Sequence, residues 1–486
     1  MIDLTIHKER LENALRRVRE RKIIIPTFAQ MKDPGLIPPS IREGLARTGL
    51  WELSPLNLFR ITWKNERRTS GGGYACVNWM EFPPSLTGVE ARILALIGKW
   101  FPTGAHKVGA AFGCLVPRLI TGQFDPNTQK AVWPSTGNFC RGGAYDSALL
   151  GCRSIAILPA GMSRERFEWL AGITGDVIRT PGSESNVKEV FDKCWELKRS
   201  GQDVMIFNQF EEFGNYLWHY EVTGHAMEDL LAQELGSKGV YRGVVMATGS
   251  SGTLACGDFL KRHFPAAKTA AAEALQCPTM LENGFGSHRI EGIGDKHVPW
   301  IHNVRNTDVI LGIDDAAVVS LARLFNEPVG RAFLHRKGVP EDVLSQLDLL
   351  GFSGIANLIA SIKFAKHFEL GDQDVVMTVL TDSMELYRSR LEEMKMERGE
   401  YGEVDAAAHY SRYLQGITTD HLRELSHTDR RRIHNLKYFT WVEQQGRTVD
   451  EIQAQWSSED YWTCIQRQTA DIDGLISEFN ARAAGT

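Results

Sequence analysis

Between about residues 130 and 380 the chain alternates short β-rich apolar runs with longer segments in which apolar positions recur every three or four residues. The runs at 131–133, 154–159, 176–180, 203–207, 242–248, 269–274, 308–312 and 374–380 have strand length, and the segments at 164–170, 184–198, 216–234 and 354–367 have helical spacing. This βαβα order predicts an α/β fold: mostly parallel sheet wrapped by helices, with ligands at the carboxyl ends of the strands.

The flanks break the pattern. Residues 1 to about 90 carry Pro26, Pro34, Pro38, Pro39, Pro55 and the run Gly71, Gly72, Gly73, which reads as an extended arm with turns. Its first part is a charged helix with Leu4, Leu11, Leu15 and Val18 facing inward. Residues 391–486 are highly charged, and Arg430, Arg431 and Arg432 read as a solvated helix face. The aromatic residues Tyr438, Phe439, Trp441, Trp456, Tyr461 and Trp462 predict that this tail packs on something.

At 486 residues the chain exceeds one ordinary core, since domains run to about 250 residues. A hydrophobic fraction of 43% and a formal charge of −5 supply core material without a polybasic excess, which argues against nucleic acid and anionic membrane as partners. No apolar run reaches the ~18 residues of a membrane span, and the charged N-terminus lacks a signal-peptide core, so a cytoplasmic location is expected. The eight cysteines form no CxxC pair and read as buried small hydrophobes, with no metal site expected. Cys140 is the thiol nearest the candidate chemistry.

That chemistry sits at three predicted strand ends. After the run at 131–133 come Pro134, Ser135, Thr136, Gly137 and Asn138, where hydroxyls, amides and a helix start converge as a carboxylate pocket. Upstream, Lys107 lies among small residues in Thr103, Gly104, Ala105, His106, Lys107, Val108, Gly109. Downstream, Thr248, Gly249, Ser250, Ser251, Gly252 and Thr253 offer backbone donors for a phosphate. A lysine, a carboxylate loop and a phosphate loop together suit a phosphorylated aldehyde held as a Schiff base, which points to pyridoxal 5′-phosphate.

In motif order the chain resembles the fold-type II family of pyridoxal-phosphate enzymes, closest to cysteine synthase and cystathionine β-synthase. The resemblance covers roughly residues 95–390. It rests on the Lys107 loop, on Ser135 to Asn138, on Ile155 to Pro159 followed by Met162 to Arg166, and on Asn208, Gln209, Phe210 and Asn215. It continues through the loop at 249–253, His288 to Gly294, Gly354 to Asn357, and Thr381, Asp382, Ser383 before Tyr387. It implies two three-layer αβα domains with mostly parallel twisted sheets, plus an N-terminal arm and a helical C-terminal extension. The implied division is 1–94 for the arm and the start of the large domain, 95–390 for the catalytic core with a small domain at roughly 114–220, and 391–486 for the extension.

The resemblance also implies roles. Lys107 would form the internal aldimine and move the Cα proton. Gly249, Ser250, Ser251, Gly252 and Thr253 would bind the cofactor phosphate, Asn138 the 3′ oxygen of the ring, and Ser383 would face the pyridine nitrogen. Ser135, Thr136, Gly137, Asn138 and Gln209 would hold the substrate carboxylate. The chain departs from the family in three places: Phe139 stands where cysteine synthases commonly carry Thr, Pro134 stands where tryptophan synthase has an acid, and Ser250 and Ser251 interrupt the glycine run.

The expected activity is β-replacement on an amino acid with a Cβ leaving group, through an α-aminoacrylate, in a homodimer. The alternatives are a β-eliminating lyase of the cysteine desulfhydrase or serine/threonine dehydratase type, and a pyridoxal-phosphate-binding regulatory or structural subunit.

Overall fold

Eleven strands make two sheets in the computed structural model, which describes residues 1–485. They are β1 Trp79–Phe82, β2 Arg92–Ile97, β3 Lys130–Pro134, β4 Arg153–Pro159, β5 Asp176–Thr180, β6 Val204–Ile206, β7 Val240–Ala247, β8 Lys268–Ala274, β9 Val309–Ile313, β10 Asp374–Leu380 and β11 Leu422–Glu424. The smaller sheet runs β5-β4-β3-β6, all parallel. The larger runs β1-β2-β10-β7-β8-β9-β11, parallel from β2 to β9 and antiparallel at both edges. Helices pack against these sheets, so the architecture is the expected α/β one.

All eight expected strands are present, with ends shifted by at most two residues. Every position of β9 and β10 is buried, as parallel strands covered on both faces must be. The hydroxyl of Thr378, inside β10, donates to the Val245 carbonyl at 2.6 Å, which satisfies a polar group in that layer.

The flanks are more structured than an extended arm with turns, and the tail packs on the core as its aromatic residues predicted. The first ninety residues are largely helices and turns rather than an extended arm, and they contribute the edge strand β1; the opposite edge, β11, comes from the C-terminal extension. Helix Lys8–Glu20 buries Leu11, Ala14, Leu15 and Val18 in the same core as Ile465, Ile472, Ile476 and Phe479 of helix Tyr461–Ala484. The long helix also fixes the start of helix Phe28–Lys32, because the Asp473 carboxylate accepts the amides of Phe28 at 2.6 Å and Ala29 at 3.0 Å. Asn480 exchanges two hydrogen bonds with the backbone of Ile25.

The arginine run is a second correction. Arg430 donates to the Thr307 carbonyl and to Asp308, Arg432 to the Met280 carbonyl and Asn283, and Arg431 stacks over Trp456. Free carbonyls and a carboxylate on the core surface recruit this face, so it anchors the extension instead of facing water. Trp441 is fully buried and donates to the Val298 carbonyl, as the aromatic content of the tail predicted.

Candidate active site

The carboxyl ends of β3, β7 and β10 open on a cavity between the two sheets. Its wall includes Lys107, Ser135, Thr136, Asn138, Gln209, Gly249, Ser250, Ser251 and Thr253, so the loops read separately from the sequence meet at one place.

Lys107 is the first residue of helix Lys107–Ile120, and its Nζ donates to Ser250 Oγ at 2.9 Å. The same hydroxyl accepts from Asn215 Nδ2 at 2.9 Å, and that amide also donates to the Gln209 carbonyl. Burial brings the Lys107 amine down to about 8, with Asp295 opposing the shift. The neighbouring His106 is buried and held neutral, first by burial and then by the charge of Lys107; its Nε2 lies 3.3 Å from Thr381 Oγ1.

Ser135 is fixed by its own loop. Its Oγ accepts from the Gly137 amide at 3.1 Å and from Gln209 Nε2 at 3.2 Å. Gly137 has no room for a side chain, since a Cβ there would lie 2.5 Å from Arg166 Nε. Asn138 opens helix Asn138–Leu149, donates to Asp382 Oδ2 at 2.6 Å and accepts from Arg141 at 3.4 Å. Phe139 lines the cavity and packs edge-on against Trp133.

The loop after β7 leaves its donors unused. Among the described residues the amides of Gly249, Ser250 and Ser251 donate no hydrogen bond, and the buried Ser251 hydroxyl has no partner. Ser251 takes a left-handed conformation, φ 62° and ψ 5°, that glycine would adopt at less cost. A Cβ on Gly252 would collide with Asn215, so the backbone must approach closely there.

Ser383 is buried at the start of the short turn Met384–Tyr387, just outside the residues lining the cavity; Thr381 and Ser353 are hydroxyl residues in the wall itself. Cys140 is also fully buried and outside the wall. Its Sγ donates to the Gly137 carbonyl, and burial pushes the thiol up to about 12.

Five charged residues to which the motifs gave no part in the chemistry stand around the site: Arg166, Glu291, Asp382, Glu184 and Asp295. Arg166, on helix Arg164–Ala171, is buried in an ion pair with Glu291; it donates to Tyr387 Oη at 2.7 Å and lies 3.8 Å from Asp382. Tyr387 in turn donates to Asp382 Oδ2 at 2.7 Å. Glu184, in the loop after β5, and Asp295, after the turn at Gly292 and Gly294, both line the cavity. Burial raises Glu184 to about 7 against the pull of Arg166, and raises Asp295 well above the carboxylate range, with Glu184 adding to the shift. Asp295 follows directly on the motif His288 to Gly294, its one sequence signal; Glu184 opens the segment expected to be helical, and the helix starts three residues later, at Val187, which leaves Glu184 in the loop.

The sequence profile of the pyridoxal-phosphate dependent enzymes matches residues 99–330. Cystathionine beta-synthase of Saccharomyces cerevisiae is 23% identical over 380 residues, covering 76% of this chain and 71% of that protein. Cysteine synthase of Staphylococcus aureus is 28% identical over 289 residues, covering 59% and 84%. Among solved structures, the O-acetylserine dependent cystathionine beta-synthase from Helicobacter pylori superposes with a TM-score of 0.53 at 23% identity, over 64% of this chain and 94% of that one, a likeness of fold.

Proposed function

We propose, from the match of residues 99–330 to the profile of the pyridoxal-phosphate dependent enzymes, that this chain catalyses β-replacement on an amino acid carrying a leaving group on Cβ. The single observation that carries the reading is the buried Lys107 amine, lowered to about 8 and held by Ser250 beside an unused set of phosphate-loop donors. The residues present fit the cofactor. Lys107 and the loop after β7 line one cavity, the amides of Gly249, Ser250 and Ser251 and the orphan Ser251 hydroxyl suit a phosphate, and close approach is secured at Gly252.

Pyridoxal phosphate, when bound, supplies a carbonyl that joins the substrate amine and a conjugated ring that draws electrons from Cα. The rest falls to this chain. Lys107, as the neutral amine, takes the proton from Cα and returns it there after replacement. Ser135 and Thr136, with the Gly137 and Asn138 backbone at the helix start, hold the substrate carboxylate, and Gln209 fixes the Ser135 hydroxyl. Asn138 is proposed for the ring oxygen. Ser383 is proposed for the ring nitrogen, with Thr381, which lines the wall, as the alternative. Phe139 puts an aromatic ring in the cavity wall where cysteine synthases commonly carry a hydroxyl.

The relatives named cysteine synthase and cystathionine beta-synthase support replacement by a thiol or sulfide. A β-eliminating lyase would use the same groups up to departure of the leaving group. The reading extends to a cytoplasmic homodimer, tested by sedimentation and cell fractionation. No helix among the described residues is long and apolar enough to cross a membrane.

The test is the visible absorbance of the purified protein, native and as Lys107→Ala, titrated with serine, O-acetylserine, cysteine and phosphoserine, with products analysed with and without sulfide. A cofactor band lost in K107A and moved by one substrate is expected, with a sulfur-containing amino acid formed only when sulfide is present. A protein that stays colourless with added pyridoxal phosphate sinks the reading, and keto acid with ammonia as the sole products replaces it with elimination.

A further inference from the structure

Glu184 and Asp295 reach the same cavity from loops attached to different sheets. Glu184 is held by the loop after β5 of the smaller sheet, where Asn186 Oδ1 accepts the Ser183 amide at 3.0 Å. Asp295 is held against the larger sheet: the Gly294 amide donates to the Thr248 carbonyl at 2.7 Å, and Thr279 Oγ1 donates to the Asp295 carbonyl at 2.6 Å. His288 Nε2 braces the turn at 2.9 Å from the Gly294 carbonyl. Both side chains belong to residues more than nine-tenths buried, at 3% and 7% exposure, yet Glu184 Oε2 and Asp295 Oδ2 have no hydrogen-bond partner. Asp295 Oδ2 lies 3.8 Å from the position a Cβ on Gly249 would take, so it looks at the phosphate loop.

Glu184 is also hydrogen-bonded to the Thr136 side chain and the Gly292 backbone, but a buried carboxyl oxygen left without a partner is costly, and two at one cavity mark a place built for a partner that comes and goes. The charged groups facing them are Lys107 and Arg166. Arg166 is already matched by Glu291, and Lys107 is engaged with Ser250. Two carboxyls this buried do not both ionise, so the pair holds a proton at neutral pH.

We propose that Glu184 and Asp295 form an acid–base pair that carries one proton for the Cβ side of the reaction, giving it to the departing group and recovering it from an uncharged X–H nucleophile such as a thiol. The inference rests on the β-replacement reading above. As the Cα proton passes to Lys107, the electrons of that bond form the Cα–Cβ double bond. The Cβ–leaving-group bond breaks with its pair on the departing atom, which takes the proton of the pair. The nucleophile then loses its X–H proton to the pair while its lone pair forms the X–Cβ bond, and Cα recovers its proton from Lys107. Nothing is oxidised or reduced, and the pair ends as it began. A hydroxide-type leaving group needs this proton; a carboxylate such as acetate leaves without it. An already anionic nucleophile or leaving group meets the carboxylate charge instead.

The experiment uses the holoenzyme, wild type, Glu184→Gln and Asp295→Asn, with serine and with O-acetylserine. Each variant is expected to lower serine turnover by about 10²-fold or more, at least tenfold further than it lowers O-acetylserine turnover, while circular dichroism and the cofactor band match wild type. Equal losses with both substrates mean a structural role and overturn the proposal, as does a wild type that turns over O-acetylserine and leaves serine untouched. Independent of turnover, the infrared spectrum of the wild-type holoenzyme must contain the carbonyl stretch of a protonated carboxyl that D295N removes, and its absence overturns the proposal. A wild type with no cofactor band fails the β-replacement reading itself, which keeps the two failures apart.

Discussion

The Lys107 amine and the Ser250 hydroxyl, 143 residues apart in the chain, meet at 2.9 Å. The contact joins the lysine at the head of helix Lys107–Ile120 to the loop after β7, so the group that would bond the cofactor and the loop that would hold its phosphate are set by one hydrogen bond.

Burial holds this amine near 8 rather than in the ordinary lysine range, and only the neutral amine attacks an aldehyde. The rate of cofactor uptake by the apoprotein, trapped by borohydride reduction, is therefore expected to rise about tenfold per pH unit up to roughly 8 and then level. A rate still climbing at pH 10 would show an unshifted lysine.

Ser251 occupies a left-handed conformation that costs a side-chain-bearing residue ~1–2 kcal/mol, while glycine gains unfolded-state entropy worth about half of that. Ser251→Gly is expected to stabilise the apoprotein by roughly 0.5–1 kcal/mol in chemical denaturation. The same substitution removes an orphan hydroxyl aimed at the phosphate site, so cofactor affinity is expected to fall about tenfold in an equilibrium titration. A variant improved in both respects would remove Ser251 from the phosphate site.

Arg166 links the two sheets through buried Glu291, Tyr387 and Asp382. Replacing it by Met takes the ion pair from buried Asp382 and leaves Glu291 to Arg390 alone, and is expected to cost about 3–5 kcal/mol. Adding Glu291→Gln should recover part of the loss, and strict additivity in that double-mutant cycle would contradict the coupling.

Asp473→Ala removes the acceptor for two amides at the start of helix Phe28–Lys32 and is expected to cost about 1–2 kcal/mol. Thermal unfolding of the full chain measures it.

Thiol titration offers a simple check on burial. Cys76 is exposed and Cys464 half-buried, whereas Cys140 is enclosed with its thiol raised to about 12. A disulfide reagent is expected to modify Cys76 first, then Cys464, and to reach Cys140 only on unfolding. Rapid loss of the Cys140 thiol in native protein would place it in the cavity.

The buried strands were legible because fully buried parallel strands are continuous apolar runs bounded by turn residues, as in β10, and the partly exposed β5 and β6 because they keep their place in the βαβ alternation. Three strands escaped. β1 and β11 are short edge pieces of four and three residues in flanks that lack the βαβ rhythm, and the Ile and Leu of β2 suit a buried helix segment equally well. At the site, the motif residues could be named, Arg166 and Glu291 among them, but the charges of Glu184, Asp295, Arg166 and Glu291 gain their meaning from burial beside one another. A single acid carries no trace of what will face it across a cavity. Arg430 and Arg432 misled for the same reason, since their acceptors are carbonyls more than a hundred residues away.

The pairing of Ile25 with Asn480 spans 455 residues. At ~5–20 residues per second, a ribosome takes roughly 20–90 s to make the chain between them. For that interval the apolar face of helix Lys8–Glu20 waits without the helix that covers it. Nascent chains of this protein are therefore expected to keep that face available to chaperones until synthesis is almost finished, however early the sheets assemble.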